Sequence, residues 1–200
     1  MKLPMHESIK VKGVISIYTY KGGTHDKAAP FISRWKKCVA KGDFKQADHY
    51  KRKFEKIFKD NQIGEPNVTN NLVMTAPNLG RDLIIQRLMG INTYSLNLSY
   101  AEIGTGNTAP TATDTTITAA VARASLSAGV AQDLGNNQAQ IQYFFADATL
   151  TNVTYYEGGT YVDGNASLGT GQLWNHALLT SPYTKAPGTD ITLQLNASFT

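Results

Sequence analysis

The chain has 200 residues, 42% hydrophobic and 17% charged, with 19 Lys and Arg against 15 Asp and Glu. That apolar share supports a packed core and excludes global disorder, and no apolar run approaches the ~20 residues of a membrane-spanning helix. Cys38 is the single cysteine, which excludes a disulfide scaffold, a CxxC redox pair and a multi-cysteine zinc site; the opening Met1-Lys-Leu-Pro-Met-His-Glu lacks the apolar centre of a secretory signal.

Ser8 to Tyr20 is rich in β-branched and aromatic residues and predicts one strand, bulged at Gly13, before a turn at Lys21-Gly22-Gly23. Residues 29–61 change period. Phe31, Trp35 and Val39 recur at helical spacing up to Gly42. Asp43 and Gln46 form a capping-box-like start for a second helix, whose apolar stripe is Phe44, Ala47, Tyr50, Phe54, Ile57 and Phe58. Together they predict an inserted αα-hairpin. Val68–Thr75 predicts a short strand. Residues 78–89 predict a short helix, capped by Asn78 and stopped at Gly90, that buries Leu79, Leu83, Ile84 and Leu88.

From Ser95 onward the pattern is β. Leu96, Leu98 and Tyr100 alternate ahead of a Gly104-Thr105-Gly106 turn, and Asn107–Thr116 is a polar loop. Further strands are predicted at 117–125, 127–132, 139–149, 153–157, 160–162, 172–180 and 190–199. The separating turns include Leu134-Gly135-Asn136-Asn137, Glu157-Gly158-Gly159 and Asp163-Gly164-Asn165. The expected fold is mainly β: an antiparallel β-sandwich made of 1–28 and 62–200, with 29–61 inserted as a basic helical hairpin.

Charge is unevenly spread. Residues 1–90 hold 17 Lys and Arg against 8 Asp and Glu, a net of +9. Residues 91–200 hold only Arg123 and Lys185 against seven acids, a net of −5. The segment 29–61 alone is +6. Such a hairpin faces either solvent or a negatively charged partner, and the acidic second half suggests an opposite, negative end.

Sites of chemistry have little local signature. His6, His25, His49 and His176 stand at no metal-binding spacing, and a lone histidine is more often an ordinary surface or core residue than a ligand. No nucleophile elbow, phosphate-binding loop or dinucleotide fingerprint is present. The carboxylates of the second half are scattered. No cofactor, metal or catalytic residue is therefore expected, and an enzyme has no positive support. Tyr155, Tyr156, Tyr161 and Trp174 form either an aromatic platform for sugars or part of the core.

Several short motifs follow one another in a distinctive order. They are Asn71-Leu72-Val73, Gly80-Arg81-Asp82-Leu83, Ile103-Gly-Thr-Gly-Asn-Thr-Ala-Pro-Thr-Ala-Thr-Asp-Thr115, Arg123, the Gln140–Ala148 strand, Tyr156-Glu157-Gly158 and Lys185. In this order they resemble a family of tailed-bacteriophage structural, tail-associated proteins over about residues 8–22 and 70–200; the basic hairpin departs from the pattern. The resemblance implies a non-enzymatic subunit of the tail, baseplate or neck, located in the virion and assembled in the bacterial cytoplasm. Its partners would be other virion proteins and copies of itself, with neither nucleic acid nor membrane bound. The hairpin cations expected to contact a neighbour are Lys36, Lys37, Lys51, Arg52 and Lys53. Rival readings are a glycan- or receptor-binding module, a capsid decoration protein, and a nucleic-acid-contacting virion protein.

Overall fold

The computed structural model describes residues 11–199. Two five-stranded antiparallel sheets face each other. The first contains β1 (Val11–Lys21), β2 (Asn67–Asn70), β6 (Val130–Gly135), β7 (Gln138–Phe145) and β10 (Thr189–Phe199), in the order β2-β1-β10-β7-β6. The second contains β3 (Leu72–Val73), β4 (Tyr100–Gly104), β5 (Ala120–Ser125), β8 (Thr154–Val162) and β9 (Gln172–Thr184), in the order β3-β9-β8-β4-β5. Alternation sends Ile15, Ile17, Leu193, Leu195, Tyr143 and Phe145 inward from the first sheet. They meet Ala101, Ile103, Tyr155, Ala177 and Leu179 from the second in one apolar layer. The fold is the expected mainly-β sandwich with a helix pair and one short helix.

The helix pair is α1 (Thr24–Ala40) and α2 (Phe44–Asn61). It packs on the outer face of the first sheet, not between the sheets. Ala28, Ile32, Trp35, Phe54 and Phe58 bury against Tyr20, Val130 and Phe144. Asp43 caps α2 by accepting the Gln46 N–H at 3.1 Å, as the spacing predicts. Helix α1 begins at Thr24, ahead of the predicted 29, and contains Pro30. Proline removes an intrahelical donor, but the start is held from elsewhere: the His25 N–H donates to Asp190 of β10 at 3.2 Å.

Other local expectations are corrected. Strand β1 pairs with β10 without interruption from Val11↔Phe199 to Lys21↔Thr189, so Gly13 is no bulge; residues 8–10 of that predicted strand lie outside the described residues. Thr154–Val162 is one strand, β8, not two strands around a Gly158-Gly159 turn. A Cβ on Gly158 would stand 2.9 Å from the Leu193 side chain, and one on Gly159 would stand 2.7 Å from the Asn175 carbonyl. These glycines permit close approach in mid-strand instead of turning the chain. The predicted alternation at 95–99 is not strand; Leu96 has φ +62°. The short helix α3 (Arg81–Leu88) starts after Gly80, and Asn78 does not cap it; Asp82 instead accepts the Asn78 N–H at 2.8 Å. Leu79 and Leu83 are buried as expected, but Leu88 is 75% exposed, beside exposed Ile85, Met89 and Ile91. An eight-residue helix resting on one flank has no second buried face for position 88.

Candidate functional site

The outer surface of the hairpin carries the predicted cations. Lys37, Arg52 and Lys53 are exposed, and Lys53 lies over the Phe31 ring at 5.5 Å. Lys51 is half-buried and faces Glu55 at 3.8 Å. Lys36 points the other way. Its Nζ donates to the Ser127 carbonyl at 2.9 Å, and burial pulls its pKa down. Lys36 thus ties the hairpin to the loop between β5 and β6, while the other four stand on or near the outer surface. On α2, Lys45, His49, Arg52, Lys56 and Lys59 recur at 4- and 3-residue steps, a polar stripe opposite the buried Ala47, Phe54 and Phe58. Among the described residues one ion pair, Lys56–Asp60, engages a cation of this stripe, and Lys51–Glu55 lies beside it; exposed pairs bind their charges weakly.

A second constellation forms where no spacing announced it. His176 of β9 is buried, with Nδ1 2.8 Å from Asp114 and Nε2 2.8 Å from Glu157. Glu157 of β8 also accepts backbone N–H groups from Gly106 (3.1 Å), Ala119 (2.6 Å) and Thr118 (2.9 Å). Burial alone would raise the Glu157 pKa, but the His176 bond and these donors together lower it. Burial would likewise lower that of His176; the two carboxylates reverse the effect and raise it. Below its ordinary 6.5 the ring is therefore an imidazolium between two carboxylates. It pins the polar loop 105–119 to the second sheet.

The Gly104-Thr105-Gly106 motif follows from this arrangement. A Cβ on Gly104 would lie 2.6 Å, and one on Gly106 2.5 Å, from a Glu157 carboxylate oxygen. Here the glycines make room for a buried acid; they cradle no phosphate.

Two further ties use the other charged residues of the β half. The Arg123 guanidinium lies between the Tyr100 and Tyr161 rings, at 4.5 and 4.8 Å from their centres. It donates to Glu102 (2.5 Å), Thr170 O (2.6 Å) and Asn165 O (2.9 Å). Lys185 is buried and donates to Asp147 and to Asn152, the latter at 2.8 Å. The negative end expected of the second half does not form. Glu102, Glu157 and Asp190 are buried; Asp114 and Asp147 are paired; Asp163 accepts from Ser95 at 2.9 Å; Asp133 accepts the Gly135 N–H at 2.8 Å. The aromatic platform does not form either: Tyr155, Tyr161 and Trp174 lie in the core, and Tyr156 is half-buried.

Sequence reasoning missed His176 and His25. His25 stacks on Phe144 at 4.6 Å and places Nε2 3.0 Å from Thr192 Oγ1 under the hairpin. Asp190 stands 3.7 Å from the ring, yet burial prevails and lowers the His25 pKa to about 4, so the ring is neutral at pH 7. The partners of the two histidines are 19 to 167 residues away along the chain, so no spacing signals them. Among the described residues no three or more His, Cys, Asp or Glu side chains cluster as a metal site would, and no helix is long and apolar enough to cross a membrane. Comparison with protein-family models, curated proteins and solved structures finds no match to this chain.

Proposed function

We propose that the chain is a structural subunit of a tailed-phage virion, in the tail, baseplate or neck, that docks neighbouring subunits without catalysis. One observation carries the reading. Four charged residues of the motifs resembling that family, Asp114, Arg123, Glu157 and Lys185, are consumed in internal ties that hold loops against the second sheet, whereas Arg81 is exposed. Such a layout spends its ionisable groups on a fixed shape, the property a particle component needs. The outer surface of the hairpin is then the main exposed cationic feature. Because the acids of the β half are tied internally, a second copy offers it little negative surface, and its partner is a different, acidic chain.

The test is incorporation into particles. Lys37→Glu, Arg52→Glu and Lys53→Glu together leave Lys36 and the buried contacts intact. Mass spectrometry of purified particles should find the wild-type chain and at least about tenfold less of the folded variant, as expected when several charged contacts reverse sign. Equal incorporation would sink the docking role; absence of the wild-type chain from particles would sink the virion reading. Tight, steeply salt-dependent binding of duplex DNA by the isolated chain would instead favour phosphate recognition.

A further inference from the structure

The hairpin covers only part of the first sheet's outer face, and among the described residues side-chain amides are the commonest outward groups on the rest of it. One row of paired residues crosses all five strands as Asn70, Val14, Asn196, Gln140 and Gln132. The next row contains Ser16, Gln194 and Gln142, and the row on the other side contains Lys12, Ser198 and Gln138. Outward positions of a sheet usually mix Thr, Lys and Glu. Here the central floor is neutral, and each amide offers two donors and an acceptor oxygen.

These amides are already oriented by one another. Gln142 Nε2 donates to Gln194 Oε1 at 2.8 Å; Gln194 and Gln140 both donate to Asn196 Oδ1, at 3.3 and 3.4 Å. The chain of bonds leaves the Gln140 and Gln142 oxygens and the Asn196 NH₂ without a protein partner among the described residues. The surface is concave, a groove of about 640 Å³. A smaller hollow of about 190 Å³ continues it through Gln140 to Glu55 and Lys59 of α2.

We propose that this amide-floored groove binds a neutral oligosaccharide. Preset donor–acceptor pairs on a rigid grid suit adjacent sugar hydroxyls, which both give and accept hydrogen bonds. Same-face side chains lie about 4.8 Å apart across strands and about 7 Å apart along them, close to the dimensions of a pyranose ring. The volume falls within the roughly 300–1,000 Å³ of small-ligand sites, enough for more than one ring. A peptide is disfavoured, because the surface is a sheet face with its backbone already paired, and an extended peptide joins at an edge. An anion is disfavoured, because Lys12 is the one cation lining the main groove. The inference stands apart from the docking role of the hairpin.

The full chain is tested on an array of neutral hexose and N-acetylhexosamine mono-, di- and tetrasaccharides, beside acidic glycans, and the best binder is titrated by calorimetry. At least one neutral tetrasaccharide should bind, and its monosaccharide should bind about tenfold more weakly, since one ring fills only part of the groove. The double variant Gln140→Ala/Asn196→Ala should lose about tenfold or more in affinity, the effect of removing one or two hydrogen bonds; Lys53→Glu should not change it. If the double variant fails to fold, exposed Gln138→Ala decides, with an expected loss of about threefold. No binding to any neutral glycan, binding of acidic glycans alone, or affinity untouched by the groove variants would overturn the assignment.

Discussion

Glu157 gathers four hydrogen-bond donors on one buried carboxylate, and its neighbours are selected around it. Gly106→Ala puts a methyl group 2.5 Å from its oxygen and 2.6 Å from Thr118 Cβ; Thr118 is exposed, but the buried carboxylate is held by its donors and has no room to retreat. The substitution should cost about 1–3 kcal/mol in urea unfolding, and a neutral result would show that the loop yields. The two buried histidines have opposite pH behaviour. His176 has a raised pKa, so its contribution is complete below its ordinary 6.5 and is lost as pH rises through the raised value. Asp114 and Glu157 have lowered values, so their share is present above the ordinary 3.8 and 4.5 and is lost as pH falls through the lowered ones. The clamp is whole between about 4.5 and 6.5. His25 is the reverse: its neutral ring is costless above 6.5, and stability drains as pH falls from there through about 4. The stability gap between wild type and His176→Gln should therefore be wider at pH 5.5 than at pH 9. Chemical denaturation at the two values measures it, and a gap that widens toward pH 9 would mean the ring is neutral in the clamp.

At the scale of elements, the hairpin is held by an aromatic seam. Phe54 is fully buried, edge-on to Trp35 at 5.8 Å and to Phe58 at 6.4 Å, while Phe58 reaches Tyr20 and Phe144 of the sheet. Phe54→Ala should cost about 3–5 kcal/mol. Because this seam is separate from the core between the sheets, amide exchange should speed up in 24–61 before it does in β8–β9. Equal acceleration everywhere would show that the hairpin and the sandwich unfold as one unit. The hairpin was legible in the sequence because Phe31, Trp35 and Val39, and then Tyr50, Phe54 and Phe58, repeat at helical spacing on either side of Gly42. Its true start was not, because the Asp190 that stabilises the first turn arrives from the last strand. The same limit explains Leu88 and the Gly158-Gly159 pair. Periodicity reports which residues share a face; whether that face meets a neighbour depends on segments far along the chain.

Across the whole molecule, the charge asymmetry of the two halves does not become a dipolar surface. Most acids of the second half are paired with Arg123, Lys185, His176 or backbone donors, Asp133 staying exposed, whereas most cations of 29–61 remain outside. Composition counts charges without their partners, so the excess of cations could be read from it and the burial of acids could not. Residue order by itself determined the mainly-β class, the helical pair and its cationic outer stripe. These rest on local terms: β-branched and aromatic alternation, i to i+4 recurrence, and capping by Asp43. Only the tertiary structure decided that His176 links Asp114 to Glu157, that a glycine motif makes room for an acid, and that amides from four strands fall in one row. Each depends on strand pairing between distant segments, where the free energy comes from contacts that no local window of sequence contains.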